Sequence, residues 1–172
     1  MPMKKLESFS KKLHAEKDPA HDFSHIKRIV KICKWLATSE TDVELLVCAA
    51  YCHGALDKEE EIRVFLRKLN FEGNRIENIL STAKNSTSAS KCRTMEEKVL
   101  YDANVLDALG AIGIVRAFIK GGYEKQTIQQ TIETMKRNMK RKVFTRKAKA
   151  IARERKLFME KFLKRLEMEL RS

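Results

Sequence analysis

Two histidines and an aspartate stand where a purely structural helix has no need of them. His25 shares a helical face with Ile29 and Ile32, His53 follows Ala49 and Ala50 by one turn, and Asp102 lies between Val99 and Leu106. A carboxylate turned toward an apolar interior is costly unless it is paired or bound to a metal, so Asp102 calls for a partner. Two imidazoles and one carboxylate together make a divalent-metal set. Taken singly, the same residues have plainer readings. His25 alone is a hydrogen-bonded core histidine, and Arg28, one turn beyond it, suits a substrate phosphate or a structural ion pair equally well. His21 and Asp22 read as the start of a helix, while His14 has no supporting context. Cys48 and Cys52, four apart beside His53, read as small buried hydrophobes rather than zinc ligands.

These residues need helices to carry them, and the sequence supplies helices throughout. Only two prolines and six glycines interrupt 172 residues rich in helix formers. Met3 to about Lys17 predicts a first helix, ended by Asp18-Pro19. Phe23, Ile26, Ile29, Val30, Cys33 and Leu36 recur at three and four and predict a second, running to about Ser39. A third follows a Thr41 or Asp42 cap and closes at Gly54; a fourth opens at Glu59, Glu60 and Glu61, and Gly73 separates a fifth. Asn85 to Arg93 is a polar, serine-rich loop of the kind that can carry binding groups. Thr94 and Glu97 then have the spacing of a capping box for the helix bearing Asp102. Gly110 and Gly113 suggest a bend or close approach, Gly121-Gly122 a stop, and Glu124 to Leu170 two further helices. The expected architecture is one all-α helical bundle over 1–172, with basic helices of about 124–170 packed on it.

The charge is unevenly spread. The net charge is +13, and from Lys136 to Ser172 there are 15 Lys and Arg against 4 Glu, so most of the excess sits in the last fifth of the chain. Such a surface draws anionic ligands, nucleic acid among them, although aromatic residues for base stacking are sparse there. No run of about 18 apolar residues occurs, and none follows Lys4 and Lys5, so neither a membrane span nor a cleaved leader is expected and the cytoplasm is the expected location. The four cysteines lack the paired spacing of a disulfide scaffold or zinc ribbon and are read as reduced thiols.

Three segments resemble the HD superfamily of metal-dependent phosphohydrolases. His21-Asp22-Phe23-Ser24-His25-Ile26-Lys27-Arg28-Ile29-Val30 is similar to the opening motif, in which a histidine is followed three residues later by arginine and an apolar pair. Ala49-Ala50-Tyr51-Cys52-His53 resembles the helix delivering the His-Asp pair. Glu97 to Ala103, continuing through Leu106-Asp107-Ala108-Leu109-Gly110 to Ile114, looks like the stretch bearing the last aspartate in a bacterial and archaeal subgroup of small HD proteins. The likeness runs from about Pro19 to Glu169.

The resemblance implies a helical bundle in which His25, His53 and Asp102 hold one divalent ion (Mn, Co, Ni, Fe or Mg, not distinguished). A metal-activated water would then attack a small phosphorylated compound such as a nucleotide. It further implies Arg28 and Lys84 as substrate contacts. The fourth ligand position holds Gly54, which weakens or removes the metal, with Asp57 three residues on as the substitute carboxylate. The subgroup also tends to carry an Asp-Arg pair where this chain has Asn104-Val105. The alternative function is a catalytically degenerate HD-fold protein that binds nucleotide, nucleic acid or a partner protein through its basic surface.

Overall fold

The computed structural model describes residues 2–171, and among them it contains nine α-helices and no strand. They are α1 (Pro2–Leu13), α2 (Phe23–Leu36), α3 (Val43–Cys52), α4 (Glu59–Lys68), α5 (Gly73–Asn85), α6 (Met95–Asp107), α7 (Gly110–Tyr123), α8 (Ile128–Lys140) and α9 (Arg146–Glu169), with a 3₁₀ turn at Leu56–Lys58 before α4. The all-α expectation holds.

Local chemistry explains most of the boundaries. Asp22 and Asp42 cap α2 and α3 by accepting from the amides of His25 and Leu45, and Thr94 with Glu97 forms the expected capping box on α6. A second capping box, Thr127 with Gln130, opens α8. α1 ends at Leu13 rather than near Lys17, and α2 at Leu36 rather than Ser39.

α3 and α6 form the centre. Every residue of α3 from Leu45 to Cys52 is buried, and α6 buries residues on all sides, including the charged Glu97, Asp102 and Asp107. α2 packs on both of these helices and α5 packs on α3, while α7, α8 and α9 form an outer group joined to the centre through α6. One hydrophobic core draws on residues from Leu6 in α1 to Leu163 in α9.

The glycines of α7 divide: Gly121-Gly122 departs from its expected role, while Gly110 and Gly113 make the expected bend and close approach. Gly121-Gly122 does not stop α7, which continues to Tyr123; a Cβ at Gly121 would lie 2.3 Å from Thr131 Oγ1, so its bare backbone is what lets α7 and α8 approach. Gly110 opens α7 at φ +71 and swings the chain so that a Cβ at Gly113 would sit 2.4 Å from the backbone carbonyl of Ala108. That obstacle is main chain and cannot rotate away. Gly113→Ala is therefore expected to destabilise the fold by about 2 kcal/mol, a drop in Tm of roughly 4–8 °C by calorimetry.

Candidate functional site

The site forms where α2, the end of α3 and α6 meet. His25 stands in the first turn of α2, its Nδ1 2.7 Å from Oδ2 of the buried Asp107 on α6. Because a carboxylate only accepts, Nδ1 carries the proton and Nε2 keeps a lone pair. Asp107 also receives Arg28 Nε at 2.7 Å and Arg116 Nη1 at 3.1 Å, so one buried carboxylate ties α2, α6 and α7 together. Burial works against its charge, but the bond from His25 and the two guanidinium groups prevail and hold its pKa at about 2.

His53 ends α3, with its ring centroid 6.4 Å from that of His25. Burial, reinforced by the neighbouring His25 and His14, pushes its pKa down to about 4, so the ring is neutral at pH 7. Its Nδ1 is buried and has no hydrogen-bond partner among the described residues. The carbonyl of His53 lies 3.0 Å from Nε2 of His14, whose Nδ1 in turn lies 2.8 Å from the Ser10 carbonyl. Gly54 follows at φ +80, a left-handed turn that side chains rarely adopt.

Two cavities adjoin here. One of about 270 Å³ is lined by His14, Lys17, Asp18, His21, His25, His53, Gly54 and Asn104. The other, of about 390 Å³, lies beside it and shares His21 and Asn104; Arg116, Lys120, Arg137 and Arg141 face it against one acid, Glu124. We call them the histidine cavity and the arginine cavity.

Asp102 is not in either. Its carboxylate accepts the backbone amides of Phe144 at 2.8 Å and Thr145 at 2.7 Å, anchoring the connection that leads into α9. The expected convergence of Asp102 with the two histidines is corrected on helical geometry: at about 100° per residue, positions two apart face nearly opposite ways. Asn104 is the residue of α6 that lines the histidine cavity, beside Asp107, which bonds His25.

No protein-family model matches the chain. It is 27% identical over 179 residues to the uncharacterized protein YpgQ of Bacillus subtilis (strain 168), covering 90% of this chain and 87% of YpgQ. A crystal structure of YpgQ in complex with ADP superposes with a TM-score of 0.74, at 21% identity and 97% coverage of each chain. A Lactobacillus plantarum protein gives a TM-score of 0.86 at 23% identity, covering 98% of this chain and 96% of that one. An HD-superfamily hydrolase of Bacillus thuringiensis gives 0.77 at 25% identity, with 99% and 97% covered. The chain has the HD-superfamily fold.

Proteins of this superfamily generally use a divalent metal, so the HD site of this chain must be tested for one. The groups in the lining that could serve as donors are the imidazoles of His14, His21, His25 and His53, the amide of Asn104 and the carboxylate of Asp18. Asp18, the carboxylate in the lining, is held by His21 Nδ1 at 2.7 Å and the Ala20 amide at 3.0 Å. Two imidazoles bonded to one ion at about 2 Å bring their centroids to roughly 5 Å at a tetrahedral angle, closer than His25 and His53 stand. Among the described residues no group of three or more His, Cys, Asp or Glu could hold a metal ion. The residues present do not fit a hard hydrolytic cation, which takes oxygen ligands.

The other expected positions also move. Arg28 grips Asp107 in a fork, as its ion-pair reading expects, and lines neither of the two cavities. Lys84 is exposed on α5 and lines neither cavity. Asp57 is exposed and paired with Lys17 at 2.9 Å, so it does not substitute for a ligand at Gly54. The 86–94 loop gives no residue to either cavity, its amides at Arg93 and Thr94 being bound by Glu97. Sequence reasoning missed His14 and His21 as lining residues, and Arg116 altogether. The signal for Arg116 was its spacing: with Lys120 it is one of two cations, four apart and so on one face, of an otherwise apolar helix.

Two outcomes follow. Asp107→Asn leaves Arg116 without its buried counter-charge and should cost about 3–5 kcal/mol in urea denaturation. His53 has a folded pKa below its ordinary 6.5, so as pH falls the unfolded chain takes up the proton first. Stability should fall between about pH 6.5 and 4, by up to about 3 kcal/mol from this residue, and His53→Gln should show a shallower slope over that window.

Proposed function

We propose that this HD-fold chain binds a small phosphorylated compound, a nucleotide in particular, in the arginine cavity, without a metal and without metal-activated hydrolysis. The observation that carries this is the exchange of charge across Asn104. On the histidine side the carboxylates that hydrolysis through a divalent ion requires are missing or engaged. On the other side four cations converge on a cavity large enough for a small ligand. A guanidinium matches phosphate oxygens in pairs, and Arg137 and Arg141 have no carboxylate within 4.0 Å among the described residues. That YpgQ has been crystallised with ADP agrees with a nucleotide as the ligand.

The second reading is hydrolysis of a small phosphorylated compound. One observation favours it: the unpartnered buried Nδ1 of His53 beside a His25 ring oriented by Asp107, since orphaned buried nitrogens are rare.

Calorimetric titration with ADP in excess EDTA separates the two. Binding is expected without metal, weakened about tenfold or more by Arg137→Glu and falling as salt rises. Stoichiometric metal in protein purified without chelator, together with phosphate release from nucleotides under Mn, Co, Ni, Fe or Mg, would establish the hydrolase instead.

A further inference from the structure

The basic end of the chain is built into the fold, and its cations are arranged in two facing rows. Lys140, Arg141 and Lys142 end α8 and begin the connection to α9; Lys149, Arg153 and Lys156 recur at four and three along one face of α9. Together they line an open groove whose lining contains a single acid, Glu160.

An ordinary solvated helix face pairs its charges, and this chain does so elsewhere. Arg63 binds Glu59 and Glu77, Lys136 binds Glu167, and Arg165 binds Glu169. No such pair reaches the groove: among the described residues its six cations have no carboxylate within 4.0 Å. The backbone that carries them is held in place. Asp102 clamps the amides of Phe144 and Thr145, and Lys156 Nζ donates to the Arg141 carbonyl at 3.1 Å, tying the connection to the helix. Fixed like charges repel one another, so the arrangement destabilises the empty protein and suits a partner bearing several negative charges.

The groove does not stand alone, because Arg141 lines both it and the arginine cavity. The trough has more cations than a mononucleotide can use, and it extends about 10 Å from Lys149 to Lys156 at a helical rise of 1.5 Å per residue. It ends in a cavity of about 390 Å³, which admits one nucleotide and not a duplex. Leu157, half exposed in the groove lining, offers an apolar surface that a base can cover and an inorganic phosphate chain cannot.

We infer that the groove between the α8–α9 connection and α9 binds the phosphate backbone of a single-stranded polynucleotide leading into the arginine cavity. The groove stands on its own observations; only the placement of the strand's last nucleotide rests on the function proposed above.

The test is a fluorescence-anisotropy titration of the full chain with a 3′-labelled 20-residue oligouridine at 50 and 200 mM salt. Binding is expected at low salt, with a steep loss at high salt. The triple variant Lys149→Ala, Arg153→Ala, Lys156→Ala should lower the slope of log affinity against log salt by about 2. The paired replacement Lys149→Glu, Arg153→Glu, which leaves the Lys156 contact intact, should weaken the oligonucleotide at least about 30-fold, several times more than it weakens ADP, with circular dichroism unchanged. No affinity at 50 mM salt, or equal binding by wild type and the Glu variant, would overturn the inference. So would a duplex of the same length, or polyphosphate of the same charge, competing as well as the single strand. If ADP fails to bind while the oligonucleotide does, the cavity reading fails and the groove stands.

Discussion

A single buried carboxylate organises the centre of this molecule. Asp107 is reached by an imidazole from α2, a guanidinium from α2 and another from α7. None of these groups could be buried alone without a large desolvation cost, and together they neutralise and saturate one another. The result is a rigid junction of three helices at the floor of the candidate site. His25 is oriented by it, and Arg116 is held at the boundary of the arginine cavity by the same contact and by the Ala20 carbonyl.

Around that junction stands the HD-superfamily fold, with two histidines beside each other at the ends of α2 and α3. His25 and His53 line the histidine cavity together with Gly54 and Asn104, neither of which brings a carboxylate to it. Gly54 is more than an absent side chain. Its left-handed backbone turns the chain at the end of α3, so a carboxylate there would have to accept strain as well as geometry. Asp102, the remaining buried aspartate of α6, is spent on the entrance to α9, where its two oxygens answer two amides that would otherwise be unpaired at a helix start. The same carboxylate therefore serves the basic region rather than the histidines.

Charge is partitioned accordingly. Arg116 and Lys120 of the arginine cavity are paired with Asp107 and Glu124, whereas Arg137, Arg141 and the cations of the α8–α9 groove have no carboxylate within 4.0 Å among the described residues.

The helices, their caps and the loop after α5 were legible in the amino-acid sequence, because periodicity, Asp22, Asp42 and the Thr94–Glu97 box act within a few residues of themselves. So were the burial of His25, His53 and Asp102 and the family likeness of the segments that carry them. What each buried polar group touches was decided only by the tertiary structure. A helix turns about 100° per residue, so a shift of two positions sends Asp102 to one side and Asn104 to the other, and which side meets the histidines depends on how α6 is rotated against α2 and α3. The partners of Asp107 come from helices on either side of it in sequence, and those of His14 lie 4 and 39 residues away. No local pattern encodes such pairings. They arise when packing brings distant faces together and buried charges find their partners across them.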